Sequence, residues 1–356
     1  MTSGQPISAV VVNWNGEDYL DRCLSALFEQ EPPPDEVLLV DNGSDDRSLE
    51  IARRFPSVRV VEMGGNLGPC AARNRGVELA RNELCLLVDN DVVLERGCLA
   101  RLGSVLLARD RCAMVQARSL CGDRPDIVHY DGGDLHFLGT LVLRNWFRPL
   151  AEADSEDLPI GAAIALCILV RRSVFLSAGG FDERLFILYE DNELSYKLRM
   201  RGHTIWLAAN ARCRHLSGTP GLSIRSGCDR YSGRRTFLHS RNRYYVLLSC
   251  MRWRTLLLTL PAQLVYGFVY AVFGHGRGNV REWWSGKWEL LKLIPSAIAM
   301  RRSVQRGRVA RDRDLLVASP MTVNPGLADR GFSAALRRAL DRFFAGYWFL
   351  VRRLCG

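Results

Sequence analysis

The 356-residue sequence has no GxGxxG turn, no GxxxxGK[ST] segment and no CxxC pair. The first two absences exclude the common glycine frameworks for dinucleotides and for P-loop phosphate binding. The third, with an odd total of 11 cysteines, argues against structural zinc and against a disulfide scaffold. The N-terminal residues lack the basic and apolar pattern of a secretory leader, so a reduced, cytoplasmic setting is expected. Cys85, Cys167 and Cys250 lie inside apolar runs, where a thiol acts as a small hydrophobe. Acidic residues are scarce in one region. From Arg225 onward 7 of them face 24 Lys+Arg, a charge of +17, whereas the first 224 residues carry 31 against 24, or −7. A basic rear half predicts contact with an anionic surface, either membrane or nucleic acid.

What is present reads as globular, with 48% hydrophobic and 24% charged residues. The length suits one large domain with an appendage, or two domains. Ile7 to Asn13 is a β-branched run that stops at the turn signature Asn13-Trp14-Asn15-Gly16. Leu20, Cys23, Leu24, Leu27 and Phe28 then repeat at helical spacing, and Pro32-Pro33-Pro34 ends that helix. Val37 to Val40 and Val58 to Val61 predict two more strands, the first closing on Asp41-Asn42-Gly43-Ser44. The turn Gly64-Gly65-Asn66-Leu67-Gly68 leads into a helix of small residues, Ala71, Ala72, Gly76 and Ala80.

Leu84 to Val88 is apolar throughout, as a strand buried on both faces requires, and breaks into Asp89-Asn90-Asp91. That break is either a polar turn or an acidic site; two carboxylates beside a hydrophobic strand call for a cation. Strand and helix alternate through roughly the first 110 residues, which predicts a parallel sheet with right-handed crossovers. Ligands of such sheets bind beyond the carboxyl ends of the strands. Three consecutive strand ends there carry polar groups: Asn13 with Trp14, Asp41, and Asp89 to Asp91.

Pattern weakens over 118–160, with strand-like pieces at Ile127 to Tyr130 and Leu141 to Leu143. Ala162 to Val170 predicts a long strand, Glu190 to Arg201 a helix ended by Gly202, and Thr204 to Ala208 a further strand. Arginines gather between Leu222 and Arg243, and then Thr255 to Gly274 runs twenty residues without charge. That run is long enough to span a bilayer. Thr255, Thr259, Gln263 and nearby Trp283, Trp284 and Trp288 suit an interfacial helix better, and a soluble core helix remains open. The tail from Phe343 to Phe349, flanked by arginines, repeats this character.

Seven pieces in this order resemble a family 2 glycosyltransferase of the GT-A fold, in its rhamnosyltransferase-like branch, over about residues 7–216. They are Val10 to Gly16, Asp41-Asn42-Gly43-Ser44, Asn66-Leu67-Gly68 with Ala72-Arg73-Asn74-Arg75-Gly76, Asp89-Asn90-Asp91, Gly180-Phe181-Asp182-Glu183, Glu190-Asp191 and His215. The resemblance implies an α/β domain with a mostly parallel central sheet at 1–235, its nucleotide-sugar half at 1–110 and its acceptor half at 111–235. A basic, aromatic-rich helical region at 236–356 would associate with the membrane.

The resemblance also implies roles. Asp91, with Asp89 acting through the ribose or a water, would hold Mg²⁺ or Mn²⁺ on a diphosphate whose charge grows as it leaves. His215 would complete the metal site or serve only as structure. Asn13 and Trp14 would line the base pocket, Trp14 by stacking, and Asp41 would accept from the base N3–H. Asn66 and Asn90 belong to the same nucleotide-sugar pocket. Arg73 would meet base or diphosphate, or else form a surface ion pair. Asp191 would be the general base for inverting transfer, kept ionised by a helix N-terminus, with Glu190 as the alternative base.

Gly16 stands where many relatives have Glu or Lys, and Asn90 is a variant centre of the Asp-x-Asp motif. No Gln-x-x-Arg-Trp occurs, so one transfer per acceptor is expected rather than processive synthesis. The expected reaction moves a rhamnose-like or hexose unit from a dTDP- or UDP-sugar to a glycan or polyprenyl-linked glycan in cell-surface polysaccharide assembly. The enzyme would sit peripherally on the inner face of the plasma membrane, with an anionic lipid surface and no nucleic acid as partner. The alternatives are a nucleic-acid- or lipid-binding protein and a catalytically silent relative. Specificity is expected in 118–165 and in the loops from Leu216 to Arg235.

Overall fold

A computed structural model describes residues 5–217, 231–322 and 332–356. Most of the expected loop from Leu216 to Arg235 therefore lies outside the described residues. In chain order the elements begin β1 (Ile7–Asn13), α1 (Leu20–Phe28), β2 (Glu36–Asp41), α2 (Ser48–Arg53), β3 (Val58–Glu62), α3 (Pro69–Leu79), β4 (Leu84–Asp89), β5 (Val92–Leu94) and α4 (Cys98–Leu107). There follow β6 (Cys112–Cys121), β7 (Val128–Tyr130), β8 (Gly133–Leu135), β9 (Leu141–Leu143), β10 (Leu158–Ile160), β11 (Cys167–Arg171), α5 (Arg172–Ser177), α6 (Glu190–Met200) and β12 (Thr204–His215). The remainder is helical: α7 (Gly233–Cys250), α8 (Trp253–Gly276), α9 (Val280–Arg306), α10 (Asp312–Leu315) and α11 (Phe332–Val351).

The main sheet runs β10-β12-β6-β11-β4-β1-β2-β3, with β5 on β12 and β7 on β6. Strands β4, β1, β2 and β3 are mutually parallel, as alternation of strand and helix requires. The other half is mixed: β11 is antiparallel to both β4 and β6, while β12 runs parallel to β6. The apolar run from Ala162 forms a strand only from Cys167. Its first residues are held instead as a loop, because backbone N–H groups of Ala163, Ile164 and Ala165 donate to the side chains of Ser195, Gln116 and Asp191. Conversely, β12 extends well past Ala208, with a register shift before Arg212.

Alternation along β1 and β4 feeds two cores. Ala9, Val11, Leu84, Leu86 and Val88 face one side with Leu20, Leu24 and Leu27 of α1 and Leu102 of α4. Val10, Val12, Cys85 and Leu87 face the other with Cys70, Ala72 and Val77 of α3 and Leu194 of α6. The small residues of α3 let it come close: a Cβ at Gly76 would lie 2.1 Å from Val10 Cγ1. The ten described cysteines are all buried thiols outside any disulfide, filling space in these cores and elsewhere.

Two compact units divide the described residues. One comprises those up to Gly133, Leu143–Leu198, and those from His203 to Ser217; the other comprises Asp134–Val142, Arg199–Gly202 and the C-terminal helices. In the second unit α7 and α9 form an extended helix pair. Arg301 of α9 donates to the Leu248 carbonyl at 2.9 Å and lies 4.1 Å over the Trp253 ring.

Candidate active site

Parallel register sets the first part of the site. Asn13 lies beside Asp41 on the neighbouring strand, and Asp89 lies beside Val12. Asp41 is buried, and its Oδ1 accepts from Asn13 Nδ2 at 2.8 Å and from the Ser44 hydroxyl at 2.6 Å. Its Oδ2 accepts from the Ser44 N–H at 2.9 Å. Asn13 Oδ1 accepts from Asn90 Nδ2 at 2.7 Å, so three strand ends are tied together. Gly16 adjoins this knot: a Cβ there would stand 2.2 Å from Asn90 Nδ2 and 2.3 Å from Asn13 Oδ1. Trp14, next along the chain, is 43% exposed and presents an open aromatic face. Asn66 Oδ1 accepts from Asn42 Nδ2 at 3.1 Å and from the Gly68 N–H at 3.0 Å, which staples the glycine-rich turn to the end of β2.

Arg73 joins the two acidic motifs. From α3 its guanidinium donates to Asp89 Oδ1 at 2.8 Å and lies 3.6 Å from Glu190 Oε1. It sits 5.5 Å from the Phe181 ring centroid. Arg73 is buried, so it is not the surface ion pair held open from the sequence. Its Nε and one terminal nitrogen, with Glu190 Oε2, are buried without hydrogen-bond partners, an arrangement that costs stability unless a polar ligand fills it. Asn74 clamps the Gly180–Glu183 turn beside it, donating to the Phe181 carbonyl at 2.9 Å and accepting from the Phe181 N–H at 2.9 Å.

Asp191 stands in the first turn of α6, where Oδ1 accepts from the Ala165 N–H at 3.0 Å. The carboxyl does not sit at the ordinary aspartate value. Burial pushes Asp191 up to about 6, against the opposing pull of Arg73 and the Ala165 N–H. Burial and the neighbouring Asp191 charge push Glu190 further, to about 8. Desolvation wins because Glu190 is buried and Asp191 half-buried beside it, whereas a helix end supplies only partial charge. The chain leading in is strained: Phe186, Leu188 and Tyr189 have φ of 64°, 66° and 76°. Each such residue costs about 1–3 kcal/mol, and such strain gathers at functional sites.

The third part comes from β12. Its antiparallel register with β5 sets His215 against Val92, and the Leu216 N–H donates to the Asp91 carbonyl at 2.8 Å. His215 Nε2 thereby lies 3.1 Å from Asp91 Oδ2, and its Nδ1 lies 2.9 Å from Nδ1 of His129 on β7. Asp91 Oδ2 and His215 Nε2 are the side-chain atoms that would hold Mg²⁺ or Mn²⁺ here. Among the described residues no cluster of three or more His, Cys, Asp or Glu is gathered for a metal, so substrate oxygens and water would complete the shell. Asp89 stays with Arg73, its carboxyl raised by burial.

The glycosyl transferase family 2 profile matches residues 8–177. The N-acetylglucosaminyl-diphospho-decaprenol L-rhamnosyltransferase of Mycobacterium tuberculosis H37Rv is 30% identical over 236 residues, 58% of this chain and 73% of that protein. The chain belongs to glycosyltransferase family 2. This glycosyltransferase also matches the poly(ribitol-phosphate) beta-glucosyltransferase of Bacillus spizizenii, 35% identical over 102 residues, 27% of this chain and 16% of that one. Among solved structures, GalNAc-T7 with UDP, GalNAc and Mn²⁺ aligns with a TM-score of 0.51 at 18% identity, over 69% of this chain and 51% of that chain. The fold is GT-A.

Within this glycosyltransferase, the residues expected to line a base pocket (Asn13, Trp14 and Asp41), the acidic motifs and His215 all lie in the first compact unit. Sequence reasoning missed His129, which lies in the weakly patterned stretch and reaches His215 only through the pairing of β7 with β6. A lone histidine without periodic neighbours carries no signal of its own. It also missed the Ala165 backbone donor, because Ala162 to Leu166 reads as strand.

Proposed function

We propose that this enzyme transfers a single sugar, rhamnose-like or hexose, from a dTDP- or UDP-linked donor to a glycan carried on a polyprenyl lipid, with inversion at the anomeric carbon. The reaction belongs to cell-surface polysaccharide assembly at the inner face of the plasma membrane, with 1–235 as the transferase domain and 236–356 as the membrane-directed region. The sugar and acceptor classes are supported by the similarity to the mycobacterial decaprenol-linked rhamnosyltransferase. The observation that carries the chemistry is Arg73, whose contacts with Asp89 and Glu190 bring the donor-side and acceptor-side acids to one place.

In this reading Trp14 stacks on the base and Asp41 Oδ2, with one hydrogen bond made, has a lone pair left for the base N3–H. Asp91 and His215 would hold Mg²⁺ or Mn²⁺, with Asp89 acting through the ribose or a water, and such an ion would supply positive charge to offset that of the departing diphosphate. Asp191 takes the proton of the acceptor hydroxyl as that oxygen bonds to the anomeric carbon. The bond from that carbon to the diphosphate oxygen breaks, and its electron pair leaves with the nucleoside diphosphate. Glu190, raised further to about 8, already carries its proton near neutrality and is less available to accept one.

A thermal-shift screen of nucleotide-sugars, with Mg²⁺ or Mn²⁺ and with neither, tests this reading. A dTDP- or UDP-sugar should raise the melting temperature only when the ion is present. No shift with any nucleotide-sugar would refute the donor assignment.

A further inference from the structure

Helix α8 is turned inside out for a helix in water. Its polar residues Thr255, Thr259 and Gln263 are buried, Gln263 to 4% exposure, whereas Leu257, Leu264 and Phe268 are 70%, 63% and 71% exposed. Inward, Gln263 Nε2 donates to the Phe137 carbonyl at 2.8 Å and its Oε1 accepts from Arg243, while the Thr259 hydroxyl donates to the Thr255 carbonyl. Outward, Leu257, Leu260, Leu264, Phe268 and Val272 recur every three or four residues and form one stripe. A soluble core helix shows the reverse arrangement. Helices α9 and α11 add exposed Trp284, Trp288, Phe349 and Leu350, with Arg281, Lys292, Arg352 and Arg353 nearby in sequence.

Length and composition would let α8 cross a bilayer. Its inward contacts oppose that. Gln263 is committed to the Phe137 carbonyl and Arg243, and the Tyr347 hydroxyl of α11 donates to the Leu258 carbonyl at 2.7 Å. A crossing helix would carry this polar side, with Arg243, to bilayer depth, where ionised groups are costly. Seating only the outer stripe leaves those contacts intact.

We infer that the outward stripe of α8 is a monotopic anchor that lies in one leaflet of an anionic bilayer, without crossing it. The occupant follows from charge. The region from Arg225 carries 24 basic against 7 acidic residues, so a second copy would bring like charge against like, whereas anionic lipid neutralises it. The inference deepens the membrane reading above and rests on it for the identity of the leaflet.

The test uses the purified full chain, tagged at both ends, with sealed vesicles of phosphatidylcholine alone or in equal parts with phosphatidylglycerol. The protein should float with the anionic vesicles, and added protease should remove both tags. The double substitution Leu264→Asn with Phe268→Asn should cut the bound fraction about tenfold or more. Its melting temperature and nucleoside diphosphate binding should stay unchanged, since both positions face outward. One protected tag would establish a span and overturn the inference, as would equal flotation of the variant. A lipid-free dimer dispersed by the same substitutions would assign the stripe to a second copy instead. Flotation without transfer to a polyprenyl-linked glycan would remove the acceptor reading and leave the anchor standing.

Discussion

At the scale of single residues, the site turns on how far burial moves two adjacent carboxyls. Asp191, at about 6, is still mostly ionised near neutrality, whereas Glu190, at about 8, is mostly protonated. Asp191→Asn should therefore abolish transfer, on the order of a 10²–10⁴-fold loss for a general base, while nucleoside diphosphate affinity stays nearly constant. Calorimetric titration beside a turnover assay checks this; wild-type turnover would remove the base assignment. The transfer rate should climb as pH rises through about 6, because the deprotonated form does the work.

Stability should run the other way. A carboxyl raised in the folded state binds its proton more tightly there than in the unfolded chain, so its burial costs stability as pH rises from about 4 toward 8. Glu190→Gln is thus expected to raise the melting temperature at pH 8 more than at pH 5; equal shifts at both pH values would contradict it. Gly16 is a second informative residue. Its absent side chain leaves room for the Asn13–Asn90 hydrogen bond. Gly16→Ala should weaken nucleotide-sugar binding, measured as a lost thermal shift.

At the scale of elements, much of the first half was legible. Asn13, Asp41 and Asp89 were expected at one sheet edge because parallel strands end together, and the register sets them there. The close packing of α3 was legible as a run of small residues, and Gly76→Val should cost about 1–3 kcal/mol by overpacking against Val10, read in a denaturant titration. The mixed half of the sheet was not legible to the same degree. Ala162 to Leu166 has the composition of a strand, yet its amides are claimed by Gln116, Asp191 and Ser195, partners distant in sequence. No local pattern announces a competition between a ladder and side chains from another helix.

At the scale of the whole molecule, the charge asymmetry and the uncharged run of α8 were visible in the sequence, but the facing of the helix was not. Composition marks α8 as apolar; only packing against Phe137, Arg243 and Tyr347 decides that its few polar groups turn inward. Vesicle binding should fall, without vanishing, as salt rises from about 0.1 M to about 1 M, because screening shortens from about 10 Å to about 3 Å while apolar seating persists. Complete release at high salt would leave no part for the apolar stripe.

The Asp89-Asn90-Asp91 break shows where the two levels divide. By itself the sequence determined that a buried strand ends there in two carboxylates, since apolar continuity and its interruption are local properties. Only the tertiary structure decided how those carboxylates differ: Asp89 goes to Arg73 through the approach of α3, and Asp91 goes to His215 through the pairing of β5 with β12. A charge finds its partner by proximity in space, and that proximity is set by strand register and helix packing rather than by neighbours along the chain.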